Sequence, residues 1–411
     1  MDARVLRNGI KKLSLQRYNI VRKKLKVIRM KIFKQVKSYI YGKGLIETDI
    51  VFNEKIVGFQ AFEAEEISLP KDAIVVPGFI DQHVHGAGGA EAGDCTLSAL
   101  EQIAVTLAKG GTSAFLATTV TQKEEDILSA CACVAEYMET KNEKGAEVLG
   151  LHLEGPFLST KYKGAMKEEY ILPTKAETFD KMYEASHGNI KMITLAPEKD
   201  GSEEFIAYVK KKGVTVSLGH TSATHVDIIN AMESGAQCIT HTYNAQSPLH
   251  HREIGTLGSA LLLDELYCEL IADTVHVSIP AMKLLVKNKP KDKLILITDA
   301  LRAQGLPEGL SDTGGLPVMI TKDCVRLLDG TLAGTVIPMN GMVRNMVEKI
   351  GVSFETAIDY ATINPARNLG IDNGKGSIAV GKDADFTVLS KDFEVYMTVR
   401  GGEIIYDNRS K

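Results

Sequence analysis

The chain lacks any apolar run approaching the ~18 residues that span a bilayer, and its N-terminus lacks the apolar stretch of a secretory signal. A membrane-spanning role and export by that route are therefore not expected. The six cysteines, Cys95, Cys131, Cys133, Cys238, Cys268 and Cys324, form no CxxC pair. Cys131 and Cys133 fall two apart in a helical pattern, so they face different sides. A disulfide framework does not suit a chain this long without a signal. The cysteines read as reduced, mostly buried thiols of a cytoplasmic protein. There is no GxxxxGK[ST] phosphate loop, and Gly86-Ala-Gly-Gly89 lacks the dinucleotide spacing and its acidic partner. A nucleotide cofactor is therefore unsupported. A GxSxG nucleophile elbow is also missing, as is any internal repeat.

What is present begins with uneven charge. Residues 1–37 carry thirteen Lys or Arg against one acid, Asp2. The whole chain carries −4, which leaves −16 for the rest. A body that acidic does not bind nucleic acid through a general basic surface. Residues 1–29 read as a poorly ordered or non-native extension ahead of Met30. The competing reading is an amphipathic helix serving as a membrane-surface or nucleic-acid arm.

From Ser38 to Val76 short alternating runs are separated by turn residues, which predicts a small β unit. Asp385–Leu389, Val395–Val399 and Glu403–Tyr406 read the same way. The two chain ends, 30–75 and 380–411, are expected to form one small β domain. Between them, over 76–379, strand-like and helical patterns alternate. Eight apolar runs stand out: Ile74–His85, Ser113–Val120, Val148–Phe157, Ile190–Pro197, Thr215–Thr221, Cys238–Ala245, Tyr267–Val277 and Leu294–Ala300. Helical patterns at Thr96–Ala108, Glu124–Thr140, Ser202–Lys212, Ala223–Ser234 and Pro280–Lys287 lie between them, with Gly341–Ile350 and Ser353–Thr362 following. Eight strands with crossover helices predict an α/β fold, a (β/α)8 TIM-type barrel. The long link from Gln246 to Glu265 is expected to be a functional loop.

A barrel of this kind places its active site at the C-terminal ends of its strands. Six of the eight ends carry His, Glu or Asp, in a chain with only ten histidines. His83 and His85 share one face of the first run, although an HxH alone is as easily a coincidence in a turn. Glu154 ends the third run, where an unpaired buried carboxylate is costly. A metal ion or a basic residue would pair it, and no Lys or Arg lies at the strand ends. His152 shares that face and reads as packing or support, not as a ligand. His220 and His241 complete a set with Glu154 that leaves Zn²⁺ or Fe²⁺ an open position for water. Asp299 is the candidate proton shuttle, its bland reading a helix N-cap. His276 is suited to polarising a carbonyl or to a merely structural place at a strand end. Arg252 suits a phosphate or carboxylate or a solvated surface. His187, His225 and His250 read as surface or structural.

These residues carry a resemblance. Pro77-Gly-Phe-Ile-Asp81, His152-Leu-Glu-Gly-Pro-Phe157, Gly219-His-Thr221, Thr240-His-Thr-Tyr-Asn-Ala245 and Ser247-Pro-Leu-His-His-Arg-Glu253 are similar to the N-acetylglucosamine-6-phosphate deacetylase family of the amidohydrolase superfamily. Thr298-Asp-Ala300, Leu332-Ala-Gly334, Asn364-Pro-Ala366 and Gly381-Lys-Asp-Ala-Asp385 extend the match to the C-terminus. The resemblance implies a barrel with a small β-sandwich built from both chain ends. It implies Glu154, His220 and His241 as ligands of a catalytic divalent metal, and a possible second metal at His83 and His85. Asp299 would be base and then acid. His276 would bind substrate and stabilise the transition state. Asn244, Ala245 and Arg252 would recognise the phosphate, with Arg252 reaching a neighbouring subunit in a homodimer. The implied reaction converts N-acetylglucosamine-6-phosphate to glucosamine-6-phosphate and acetate, in amino-sugar catabolism.

Three positions depart from the family pattern: Gln246 for methionine, Ile254 for proline and Thr335 for serine. They bear on sugar specificity, so the galactosamine epimer is the near alternative. A cyclic amidase such as a dihydroorotase would use a modified lysine where Glu154 stands. A non-catalytic scaffold would have lost ligands that this chain keeps.

Overall fold

A computed structural model describes residues 30–60 and 63–409; the basic extension at 1–29 lies outside them. Eight parallel strands lie side by side in sequence order: Phe79–Val84, Thr112–Thr119, Glu147–Glu154, Ile190–Leu195, Thr215–Leu218, Cys238–Ile239, Tyr267–Ile271 and Leu294–Ile297. We number them first to eighth. The ring is joined at the strand C-termini, where Asp299 N–H donates to His83 O at 2.9 Å and His85 N–H to Ala300 O at 2.9 Å. The barrel strands are buried along nearly their whole length, as parallel strands covered by helices must be.

The apolar run expected at Ile74–His85 proves to be two strands. Ile74–Pro77 belongs to the sheet at the chain ends, where it pairs antiparallel with Phe386–Leu389. The break falls at Gly78, where a Cβ would lie 2.2 Å from Ser113 Oγ. Glycine there lets one continuous segment cross from one sheet into the other.

The end sheet runs in the order Glu403–Asp407, Val395–Arg400, Phe386–Leu389, Ile74–Pro77, Lys31–Ile40, Gly44–Phe52, Ile56–Gly58. Both chain ends therefore share one sheet. Its separate core is centred on Phe33, Phe52 and Phe386, with ring centroids 4.9 to 5.5 Å apart. Each such fully buried ring contributes about 1.5–3 kcal/mol.

The expected helices form, and side-chain caps set the starts of three of them. Thr96 lies outside its helix and accepts from Ala99 N–H. Thr224 and Asp227 make a reciprocal capping box ahead of His225–Ser234. Ser353 caps Phe354–Ala361. The link from Gln246 contains one helix, Gly255–Leu262.

One element was not expected. After the eighth strand an antiparallel sheet of Gly309–Thr313, Leu316–Ile320 and Val325–Leu327 stands over the barrel mouth on a small core of Leu301, Ala303, Val318, Ile320, Val325 and Ala333. Gly314 and Gly315, with φ of 52° and 75°, supply the two positive torsions that a tight hairpin turn needs.

Candidate metal and active site

His220, His241 and Asp299 each sit two residues past the end of their strand. All three have positive φ, at 47°, 26° and 48°. Such backbone costs of order 1–3 kcal/mol per non-glycine residue. The strain turns each side chain inward over the barrel axis, onto the carboxylate at the end of the third strand.

That carboxylate is Glu154. Its Oε1 lies 3.2 Å from His220 Nε2, 3.0 Å from His241 Nε2 and 3.4 Å from His83 Nε2. Its Oε2 lies 3.3 Å from His85 Nε2. Asp299 Oδ1 completes the cluster at 3.2 Å from His85 Nε2 and 3.6 Å from His83 Nε2. The donors fall into two groups of mutually close ligand atoms: Glu154, His220 and His241, and His83, His85 and Asp299.

The fit to a cation follows from the outer ring nitrogens. His220 Nδ1 donates to Tyr162 O at 2.8 Å and His241 Nδ1 to Asn244 O at 3.1 Å. A carbonyl only accepts, so Nδ1 carries the proton in both rings and Nε2 presents a lone pair. Those two Nε2 atoms are 3.1 Å apart, an arrangement that two lone pairs tolerate when a cation sits between them. His83 Nδ1 meets Glu269 Oε2 at 3.1 Å, and its buried Nε2 has no hydrogen-bond partner among the described residues.

Electrostatics agree. Burial pulls the His83 and His85 rings down, but Glu154 and Asp299 outweigh it, holding His83 well above its usual value and His85 at about 9. Burial would raise Asp299; the His83 charge and the His85 hydrogen bond bring it to about 2. Glu154 is likewise held well below its usual range against burial, by His83 and by hydrogen bonds with His220 and His241. A cluster that attracts protons this strongly attracts a divalent cation by the same field.

Around this floor is a cavity of about 420 Å³. Asn244, Ala245 and His276 line it beside the ligand residues, with Thr313 and Gly314 of the added sheet. His276 Nδ1 is held by Asp273 Oδ2 at 2.6 Å, so Nε2 is its free atom. His152 lies beneath the site, edge-on to His83 at 4.6 Å, with Nε2 2.8 Å from Thr194 Oγ1. Burial and the His83 charge hold it well below its usual value, as a neutral ring.

Arg252 is not brought to this cavity: it is exposed and contacts His251 at 2.9 Å. His187 is exposed against Glu139, His225 bonds Ser259 Oγ, and His250 is exposed. Of the three departures, Gln246 is buried with no partner for its side-chain amide among the described residues. Ile254 precedes the Gly255–Leu262 helix, and Thr335 Oγ1 donates to Thr298 O just below Asp299.

The amidohydrolase family profile matches residues 74–405, most of the chain. The chain belongs to the amidohydrolase family. Amidohydrolases typically depend on a divalent metal, and this one carries the ligand groups for it. It is 42% identical over 345 residues to the N-acetylglucosamine-6-phosphate deacetylase of Bacillus subtilis, covering 84% of this chain and 87% of that protein. It is 36% identical to the N-acetylgalactosamine-6-phosphate deacetylase of Escherichia coli O157:H7, covering 78% and 85%. Among solved structures it resembles the N-acetylglucosamine-6-phosphate deacetylase of Pasteurella multocida, with a TM-score of 0.86, 32% identity, and coverage of 92% of this chain and 100% of that one.

Three contributors to this amidohydrolase's site escaped the sequence reading. Glu269 is a fully buried acid on the seventh strand. Lys161 and Lys167 bring positive charge to the cavity from the loop after the third strand. A lone acid inside Tyr267–Ile271 was the one available signal for Glu269.

Proposed function

We propose that this amidohydrolase hydrolyses the acetamide of N-acetylglucosamine-6-phosphate, giving glucosamine-6-phosphate and acetate. The observation that carries the reading is the convergence of four imidazole Nε2 atoms on Glu154, with Asp299 beside them, at the floor of a cavity open to substrate. The sugar follows from the relatives, since the Bacillus subtilis glucosamine-type enzyme is nearer in identity than the galactosamine-type enzyme.

Glu154, His220 and His241 would hold one divalent ion, Zn²⁺ or Fe²⁺, and His83, His85 and Asp299 a second; such an ion supplies Lewis acidity toward the amide carbonyl and acidifies water. Asp299, ionised at neutral pH, takes a proton from the attacking water and passes it to the leaving amine. Asp273 fixes the His276 ring so that Nε2 can bind the acetyl oxygen as negative charge develops there. Asn244 and Ala245 face the substrate in the cavity wall. Arg252, exposed on its own chain, would reach the phosphate of a neighbouring subunit in a homodimer. The same reading assigns both chain ends to the small β unit, the first running on through Pro77 where Ile74–Pro77 pairs in the end sheet, and the middle of the chain to the barrel. It places the protein in the cytoplasm, in keeping with six free cysteines.

The test is acetate release from N-acetylglucosamine-6-phosphate and its galactosamine epimer, before chelation, after it, and after metal return. Metal-restored release, faster on the glucosamine epimer, is expected. Folded protein that releases acetate from neither sugar with any divalent metal would end the proposal, and faster release from the other epimer would reassign the substrate.

A further inference from the structure

We propose that Glu269 is a positioning residue that fixes the tautomer of His83, and that it selectively controls the His83, His85 and Asp299 ion position. The proposal rests on the reading above that this group holds a second ion. It is argued from a directed chain of hydrogen bonds through the barrel interior.

The chain begins at the surface, where Lys210 Nζ donates to Gln237 Oε1. Lysine has no acceptor, so Gln237 must present its oxygen to Lys210 and its N–H groups the other way. Gln237 Nε2 donates to Asn368 Oδ1 at 3.1 Å and Asn368 O at 2.9 Å. That orients Asn368, whose Nδ2 donates to Gln82 Oε1 at 3.1 Å. Gln82 Nε2 then donates to Glu269 Oε1 at 2.7 Å. The other carboxylate oxygen faces His83 Nδ1 at 3.1 Å. A carboxylate oxygen accepts here, so Nδ1 carries a proton and Nε2 is the nitrogen left to offer a lone pair to an ion beside Glu154 and Asp299. Every amide orientation follows from the lysine at one end.

Glu269 Oε2 also accepts from the backbone N–H of His241 at 3.2 Å. The His241 ring, however, is oriented by Asn244 O, and the His220 ring by Tyr162 O. The ligand group of Glu154, His220 and His241 therefore does not take its tautomers from Glu269.

Substitution to glutamine separates the two groups. A glutamine at 269 has one accepting end, yet donors approach from both sides. The direction imposed by Lys210 turns its oxygen to Gln82 and its NH₂ to His83, which also sets that NH₂ against the His241 backbone N–H while leaving the Asn244 O contact that orients the His241 ring in place. His83 must then accept at Nδ1 and carry its proton on Nε2, where a ligand lone pair is needed. In Gln82→Glu combined with Glu269→Gln, the chain runs correctly again. The new acid at 82 accepts from Asn368 and from the amide at 269, whose oxygen accepts from His83 Nδ1.

The experiment loads purified full-length protein with Zn²⁺, removes free ion, and measures zinc per subunit and the affinity of each step, with circular dichroism as a control for folding. Wild type is expected to hold two ions. Glu269→Gln should lose one, through an affinity loss on the order of 10–100-fold at that step, with the other step within about threefold. The double variant should regain the second ion. Wild type holding one ion, Glu269→Gln holding both as wild type does, loss of both together, or a double variant like the single one would each overturn the proposal. Zinc content is read without substrate. Failure here leaves the deacetylase reading standing, and absence of acetate release leaves this one standing.

Discussion

The imidazoles of both ligand groups lie against Glu154, but the two groups are built differently. His220 and His241 hang from strained turns just past their strands; the His220 ring is fixed by a backbone carbonyl of a neighbouring loop and the His241 ring by one of its own turn. His83 lies within the first strand and His85 just beyond it; the His83 ring is fixed by a buried carboxylate, and His85 Nδ1 has no hydrogen-bond partner among the described residues. The first group is held by neutral dipoles that no single side-chain change removes. The second depends on one charge and on one ring whose outer nitrogen the protein leaves free. The first should therefore be the more robust in holding its ion, and the second the more easily tuned.

The sharpest way to break this comparison is to take one ring from each group. His220→Ala removes an imidazole from the more robust group and should reduce acetate release to the level of chelated protein. Asp299→Asn comes next. It keeps the shape and most of the cluster but removes the proton acceptor, and turnover should fall on the order of 10³-fold while the fold and the ion at Glu154 are retained. His85→Ala should cost least of the three, on the order of 10-fold to 100-fold, with one zinc per subunit left. Activities and zinc contents of the three variants check the order. If His85→Ala loses as much as His220→Ala, the two groups act as one unit and the distinction fails.

The contrast also explains what was legible beforehand. Five of the six ligand-group residues sit at or just past barrel strand ends, and His83 lies one residue short of its strand end. A parallel barrel sends all eight ends to one mouth, so a run of apolar residues ending in His, Glu or Asp already specifies where the side chain goes. The Phe33, Phe52 and Phe386 core was less direct, because it joins residues more than 300 apart, and only the matching alternation at both ends hinted at it. Glu269 was marked only as a lone acid in an apolar strand, for a different reason. Its partners, Gln82 and His83, lie on the first strand, and nothing in Tyr267–Ile271 itself distinguishes a supporting carboxylate from one paired with a lysine. The sheet over the mouth has a faint signature, because the strands on either side of Gly314-Gly315 are short and partly exposed and so lack a strong apolar run. Ile74–His85 was read as one strand because apolar content does not show a change of sheet; the close approach of Ser113 to Gly78 does.

The smallest expected effect concerns a residue outside both groups. Arg252 reaches nothing in its own cavity, so its removal should leave zinc content and ligand geometry unchanged. If it serves a neighbouring subunit's phosphate, Arg252→Ala should raise KM for N-acetylglucosamine-6-phosphate by about tenfold, the loss of roughly one charge-assisted contact, with kcat changed far less. The same variant should act no differently from wild type on N-acetylglucosamine, which has no phosphate to lose. Mixing Arg252→Ala with Asp299→Asn protein tests the geometry directly. A mixed dimer then contains one cavity with Asp299 that is served by an intact Arg252 from its partner, so KM near the wild-type value should reappear in the mixture. A mixture that keeps the raised KM, with subunit exchange verified, would mean that Arg252 acts within its own chain, and the loop carrying it would have to fold inward to do so.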